Sequence, residues 1–261
     1  MGKVAVIEED AFYGCSNLSS VHINSLSDWC KIELKNVYSN PLYESQGNLY
    51  VDNKVVTNLV IPEDVTEIKD YAFCNNKNIK ELQIGNAVVS IGKEAFSKTS
   101  LTSCLIPENV TSIGESAFAN CDSLTTITFG DGIKEIPNKV LNGCSSLTEV
   151  VFGKNVEQIA YNAFSNSTSK LPIKKIVCHA TTPPACPEHE TIAYLGYDYW
   201  SAFYVYKFNR WYDNSNKPHN SYIKHLKLDT GVKLYVPAKC GRTYESAWDS
   251  FLDNVNVIEM E

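Results

Sequence analysis

The sequence predicts an α/β fold of the solenoid type, because one short phrase recurs along the chain at a nearly constant spacing. Its clearest marker is an Ala-Phe pair at residues 11, 72, 95, 117 and 163, replaced once by Val140-Leu141. From residue 72 onward the spacings are 23, 22, 23 and 23 residues. A fixed period of this length is typical of stacked repeats, in which each unit contacts its neighbours.

Each repeat ends in an alternation of apolar and free positions, which indicates a β-strand. The apolar pairs are Val21 and Ile23, Leu59 and Ile61, Leu82 and Ile84, Cys104 and Ile106, Ile127 and Phe129, Val150 and Phe152, and Ile176 and Cys178. One such strand cannot bury its inner side alone, so we expect the strands to stack in parallel, about 4.8 Å apart. The Ala-Phe segment predicts a short helical turn on the opposite wall of each coil.

The pattern indicates one elongated domain. Residues 1–178 are predicted to form the solenoid, with a long degenerate coil at 24–64 whose ladder strand comes 38 residues after the previous one. A hairpin around Asp52-Asn53-Lys54 is expected inside that coil. Residues 179–261 are expected to hold an aromatic-rich insertion and a closing module.

The closing module carries its own pattern of apolar residues. Leu234-Tyr235-Val236 predicts a strand, and Val255 and Val257 suit a last edge strand. Tyr244, Trp248 and Phe251 share one face of a predicted helix. Such a cap would hide the open end of the ladder from another chain.

The repeat resembles that of the BspA-like leucine-rich-repeat surface proteins, whose pattern is I-G-x-x-A-F-x-x-C-x-x-L-x-x-I-x-I-P. Residues 91–96 and 113–129 show it most cleanly, and the resemblance covers nearly the whole chain except about residues 187–230. It implies a right-handed leucine-rich-repeat solenoid with a parallel strand ladder, short helical turns opposite and a C-terminal cap. It also implies a secreted or cell-surface bacterial protein associated with adhesion, and no catalytic residues.

Charge and hydropathy narrow the range of partners. The net charge is −7 and no Lys/Arg cluster follows one face, which disfavours nucleic acid and anionic membranes. No apolar run is long enough to span a membrane. Met1-Gly2-Lys3 leads directly into a repeat, so we expect an extracellular or cell-surface fragment whose export signal has been removed. The oligomeric state is left open.

The nine cysteines are explained mainly by the repeat. One repeat position is shared by small residues, namely Cys15, Asn76, Thr99, Cys121, Cys144 and Ser167. That exchange indicates a small buried site with a weak hydrogen-bonding role. Cys104 and Cys178 are assigned to inward strand positions, where they act as small apolar residues. We therefore expect mostly free thiols.

An aromatic segment at residues 194–212 is the first candidate binding site, with ten aromatic residues in nineteen. Tyr and Trp combine apolar area with a polar tip, which suits binding surfaces. The predicted contact residues are Tyr194, Tyr197, Tyr199, Trp200, Trp211 and Tyr212. The alternative is that these rings pack on the last coil as a satellite core, because an insertion needs a core of its own to be ordered.

A second candidate is the outward row, formed by the middle residue of each strand pair, which points away from the core. Its members are His22, Val60, Gln83, Leu105, Thr128, Val151 and Val177. Four of the seven are apolar, and a contiguous apolar stripe on a concave face would mark an interaction surface. Strand propensity is the competing explanation, since Val and Thr are favoured in strands.

The sequence gives little indication of a metal site or of an enzyme active site. Cys178, His179, Cys186 and His189 lie close in sequence, but their spacing fits no familiar zinc finger, so neither metal nor cofactor is expected. Motifs of hydrolases, nucleotide-binding enzymes and metalloproteases are absent. The predicted function is non-catalytic recognition of a host or microbial surface protein or glycan. The alternatives are a passive structural spacer that presents another domain, and a carbohydrate-active enzyme that uses the insertion.

Overall fold

A computed structural model describes most of the chain. The described residues are 4–45, 47–160, 162–164, 172–185, 199–201, 204–206, 211–212, 218–219, 232–240, 242–243 and 256–260. In this part of the chain the backbone coils around one core, and corresponding strands of successive coils lie side by side in parallel. The predicted parallel ladder is therefore confirmed.

The long ladder contains the strands that the apolar pairs predict. Four of them join two strands of the closing module in one parallel sheet, whose strands are Ser103–Ile106, Thr126–Phe129, Glu149–Phe152, Lys175–Cys178, Lys233–Val236 and Asn256–Glu259. Before them come two parallel pairs, Ser20–Ile23 with Asn48–Val51 and Asn58–Val60 with Glu81–Gln83. Pairing keeps the repeat register, since Cys104 lies beside Ile127 and Ile127 beside Val150.

A short ladder of two-residue strands forms another wall. Its strands are Val6–Ile7, Glu33–Leu34, Glu67–Ile68, Ser90–Ile91, Ser112–Ile113, Glu135–Ile136 and Gln158–Ile159. They pair in parallel in groups of two, three and two. The second residue of each strand is apolar and faces the core, because the wall alternates inward and outward positions.

The Ala-Phe segments form hydrogen-bonded turns, and the predicted helical turns are not found in the described copies. Each complete turn is bracketed by two residues with left-handed backbone angles, for example Glu94 (φ 50°) and Lys98 (φ 60°). Those angles interrupt a helix, and the turns bond to the next coil instead. The Phe73 N–H donates to the Ala95 carbonyl at 2.8 Å, and the Phe96 N–H donates to that of Ala117 at 2.8 Å. We call this third side the turn wall.

Stacked phenylalanine rings fill the core behind the turn wall. Phe96 lies between Phe73 and Phe118, with ring centroids 5.5 and 5.3 Å away. All three side chains are fully buried. Alanine precedes each of them and is also buried, which lets the turn approach the core closely.

The long coil at 24–64 corrects one expectation. An additional ladder strand, Asn48–Val51, precedes Asn58–Val60 and pairs with Ser20–Ile23, which places Val21 beside Leu49. The expectation that the next ladder strand comes 38 residues after the previous one is therefore wrong. Leu49 is fully buried and Val51 partly buried, since this segment alternates like the others. The predicted hairpin is confirmed, with Lys54–Val55 antiparallel to Asn48–Val51 and positive φ angles at the two turn residues.

The long coil also contains two short helical elements. An α-helix spans Leu26–Cys30 and a 3-10 helix spans Val37–Ser39. Trp29 is buried, and its indole nitrogen donates to the Ala72 carbonyl at 2.8 Å. No helix among the described residues is long and apolar enough to cross a membrane.

The C-terminal strands extend the long ladder. Lys233–Val236 pairs in parallel with Lys175–Cys178, and Asn256–Glu259 pairs with Lys233–Val236. Both strands were predicted. The helix face of Tyr244, Trp248 and Phe251 lies outside the described residues, so the cap stays a prediction.

Candidate recognition surface

The long ladder presents its outward row on a sheet held by parallel pairing. Leu105 lies beside Thr128 and Thr128 beside Val151, while Val60 lies beside Gln83 in the preceding pair. The residues that flank the outward position point inward; Cys104 and Ile106 around Leu105 are buried, whereas Leu82 beside Gln83 is partly buried. Backbone pairing and buried neighbours therefore fix where each outward side chain lies.

Two aliphatic side chains of the outward row are well exposed. Leu105 is 64% exposed and Val60 is 45% exposed. Gln83 is also exposed, and Thr128 and Val151 are half-buried. An exposed leucine on the first strand of the six-stranded sheet is a candidate contact for an apolar partner.

Val177 corrects the predicted membership of this row. It is only 8% exposed, although its position in the strand is equivalent to Leu105. Val177 lies between Val151 and Tyr235 in the register, so the larger side chain of Tyr235 flanks it on one side. The outward row available to a partner thus ends near Val151.

Sequence reasoning missed two aromatic residues of the same ladder. Tyr50 lies beside His22, and their rings stack at 4.5 Å with planes 5° apart. Tyr235 continues the row at the other end, with the Lys175 ammonium 5.5 Å from its ring centroid. Both residues could have been predicted from the alternation in their strands. That alternation places their neighbours inward and therefore Tyr50 and Tyr235 outward.

The aromatic segment forms two short hairpins in its described parts. Tyr199–Ser201 pairs with Tyr204–Tyr206, and Trp211–Tyr212 pairs with Pro218–His219, both antiparallel. Tyr194 and Tyr197 lie outside the described residues, as do the side chains of Tyr199, Trp200, Trp211 and Tyr212. Their role as contacts stays a prediction.

The column of small residues forms a hydrogen-bonded row inside the core. The Thr99 hydroxyl and the Cys121 thiol both donate to the Phe96 carbonyl, at 2.9 and 3.2 Å. The Cys144 thiol donates to the Phe118 carbonyl at 3.2 Å. The predicted weak hydrogen-bonding role is confirmed at these positions.

Thiol and metal chemistry find little support in the described chain. None of its eight cysteines is in a disulfide, and six of them are buried. Burial raises the pKa of the Cys30 and Cys74 thiols to about 12, so both are neutral and poor nucleophiles. No group of three or more potential metal ligands gathers among the described residues. Cys178 points inward, and Cys186 and His189 lie outside the described part.

A comparison with family models identifies the repeat. Six copies of the BspA type leucine rich repeat region match residues 2–41 and 47–170, together more than half of the chain. The chain belongs to the BspA-type leucine-rich-repeat family. The resemblance predicted from the Ala-Phe phrase is thereby confirmed.

Solved structures of bacterial leucine-rich repeat proteins resemble this BspA-type chain. One from Eubacterium ventriosum is 25% identical with a TM-score of 0.50, over 67% of this chain and 55% of that one. Another from Bacteroides ovatus is 23% identical with a TM-score of 0.47, over 67% of this chain and 43% of that one. The chain thus spans about half the length of these proteins. No curated protein matches it.

Proposed function

We propose that this BspA-type chain is a non-catalytic recognition module of a bacterial cell surface, which binds a surface protein of a host or another microbe. Family membership supports a binding role, because repeat solenoids present extended surfaces built from successive coils. The same family membership supports a location at the cell surface. The observation that carries the proposal is the exposure of Leu105 and Val60 on the rigid long ladder.

The chemistry of the outward row favours a protein partner at this site. Leu105 and Val60 are aliphatic, and each lies beside a polar residue, Thr128 and Gln83 respectively. Aliphatic side chains lose water favourably against other apolar side chains, at about 25 cal/mol per Å² of buried area. A glycan would be recognised better by aromatic rings, which the aromatic segment supplies as a second contact surface.

A binding screen with a matched pair of variants tests the proposal. The protein is applied to an array of host and bacterial surface proteins, and Leu105→Ser is compared with Val89→Ser. Val89 is 47% exposed but precedes the short-ladder strand Ser90–Ile91, away from the outward row. We expect Leu105→Ser to weaken binding by tenfold or more, and Val89→Ser to leave it unchanged.

The alternatives make different predictions in the same screen. A passive spacer retains no array protein at all. A carbohydrate-active enzyme releases reducing sugar from a polysaccharide, which a reducing-end assay detects. If Leu105→Ser and Val89→Ser lose affinity equally, the outward row is not the binding surface.

A further inference from the structure

Tyrosine side chains of the first two coils meet on the turn wall, away from the outward row. The ring of Tyr38 contacts Tyr13 edge-on at 5.1 Å and Tyr43 edge-on at 5.4 Å. Tyr13 is 67% exposed, and Tyr38 and Tyr43 are half-buried. We call Tyr13, Tyr38 and Tyr43 the tyrosine cluster.

Hydrogen bonds between coils hold the backbone under each ring. The Phe12 N–H, beside Tyr13, donates to the Tyr38 carbonyl at 3.0 Å. The Gly14 N–H donates to the Glu44 carboxylate, which ties the first turn to the residue after Tyr43. The Asn75 side-chain amide donates to the Tyr43 carbonyl. Because these bonds fix the backbone that carries the rings, a ligand would lose little affinity to ordering that backbone.

The charges around the tyrosine cluster do not favour an anionic ligand. The Lys98 ammonium lies 4.5 Å from the Tyr43 ring centroid and donates to its hydroxyl at 3.1 Å. Glu44 supplies an opposite charge on the other side, next to Gly14. The Asp10 carboxylate, in the turn of Tyr13, accepts from the Asn36 side-chain amide at 2.8 Å and adds a second negative charge. These charges give no net attraction for an anionic ligand.

We propose that the tyrosine cluster is a binding site for a neutral oligosaccharide. Tyrosine rings offer apolar faces to the C–H faces of a sugar, and their hydroxyls offer hydrogen bonds to sugar hydroxyls. Lys98 and Glu44 add a donor and an acceptor beside the rings. The cluster contains no aliphatic side chain of the kind that makes the outward row suited to a protein, so the two surfaces take different partners.

A glycan array with a matched control variant tests this site on the whole chain. The array carries neutral oligosaccharides of hexose and N-acetylhexosamine together with their acidic counterparts. We expect neutral oligosaccharides to be retained, with similar affinity at 0.15 and 0.5 M salt. Tyr13→Ala should weaken this binding at least tenfold. Tyr50→Ala, which removes a stacked ring of the long ladder, should leave it unchanged.

Stability is measured alongside affinity, because a loss of folding would imitate a loss of binding. Tyr13→Gln removes the ring but keeps a flexible side chain with a polar end, and it serves as the second variant if Tyr13→Ala lowers the melting temperature. Failure of the unmodified protein to retain any neutral oligosaccharide overturns the proposal. Retention of acidic glycans alone, or full affinity in a folded Tyr13 variant, overturns it as well. None of these outcomes bears on protein binding by Leu105.

Discussion

The rings of Phe96 and Phe118 stack at 5.3 Å with planes only 11° apart, although 22 residues separate them. Each ring is fully buried behind its own turn. Their contact joins two coils that also exchange a backbone hydrogen bond, from the Phe96 N–H to the Ala117 carbonyl. One period of the sequence therefore equals one step along the stack of rings.

Replacing Phe118 by alanine should lower the free energy of unfolding by about 3 to 5 kcal/mol, because the change leaves a cavity between coils. Phe12→Ala is the matched control, since Phe12 occupies the same repeat position but is only partly buried in the first coil. We expect a smaller cost for the control. Denaturant titration measures both, and a cost below about 1 kcal/mol for Phe118→Ala would contradict the packing described above.

Exchanging residues within the small-residue column should change stability in opposite directions. The Asn76 side-chain nitrogen is buried without a hydrogen-bond partner, whereas Thr99 at the equivalent position bonds the Phe96 carbonyl. An unpaired buried polar group costs about 1–3 kcal/mol. We therefore expect Asn76→Thr to raise the free energy of unfolding by about 1 kcal/mol, and Thr99→Asn to lower it.

Chemical or thermal unfolding of the two variants checks this expectation. If Thr99→Asn raises stability instead, the new side-chain amide at position 99 finds a hydrogen-bond partner that the side chain of Asn76 lacks. A destabilising Asn76→Thr change would show that the contact of the Asn76 side-chain oxygen with the Asn78 N–H, at 3.3 Å, matters more.

Thiol reagents should distinguish Cys15 from the buried cysteines. Cys15 is exposed, whereas burial raises the pKa of Cys30 and Cys74 to about 12. At pH 8 the folded protein should react quickly at Cys15, and most thiols should react only after unfolding without reductant. Mass spectrometry of the labelled sites measures this. Four disulfides in the unreduced protein would contradict the assignment.

The same pKa values predict how stability depends on pH. A buried thiol stays protonated in the folded state, while the unfolded chain loses the proton above its ordinary pKa of about 8.5. Deprotonation then favours the unfolded chain, so these thiols contribute most below that pH. Stability should fall as the pH rises from about 8 toward 10, and Cys30→Ala should reduce that slope.

Two tryptophan variants test the predicted contacts of the aromatic segment. We expect Trp200→Ala and Trp211→Ala to weaken binding to an identified partner while changing the melting temperature little, because rings at a contact surface carry affinity more than stability. Affinity and melting temperature are measured together. Lower stability with unchanged affinity would assign the rings to a satellite core.

The strand register was predictable because it depends on a local rule. Alternation along one strand assigns Cys104 and Ile106 inward and Leu105 outward, whatever the neighbouring coils are. The Ala-Phe turn was predicted less well. Its left-handed residues, such as Glu94 and Lys98, are not residue types that indicate such angles, as glycine would be. Their N–H groups donate hydrogen bonds to carbonyls of the adjacent coil, which hold them in place.

The sequence by itself determined the solenoid, its period and the inward residues, because these follow from a repeated pattern of side chains. Only the tertiary structure decided which outward residues are accessible. Val177 and Leu105 occupy equivalent positions, yet the neighbours of Val177 leave it buried while Leu105 stays exposed. The meeting of Tyr13, Tyr38 and Tyr43 was likewise invisible in the sequence, since separate turns bring these rings together. Exposure and ring contacts depend on what lies in the adjacent coil, which a repeat pattern does not specify.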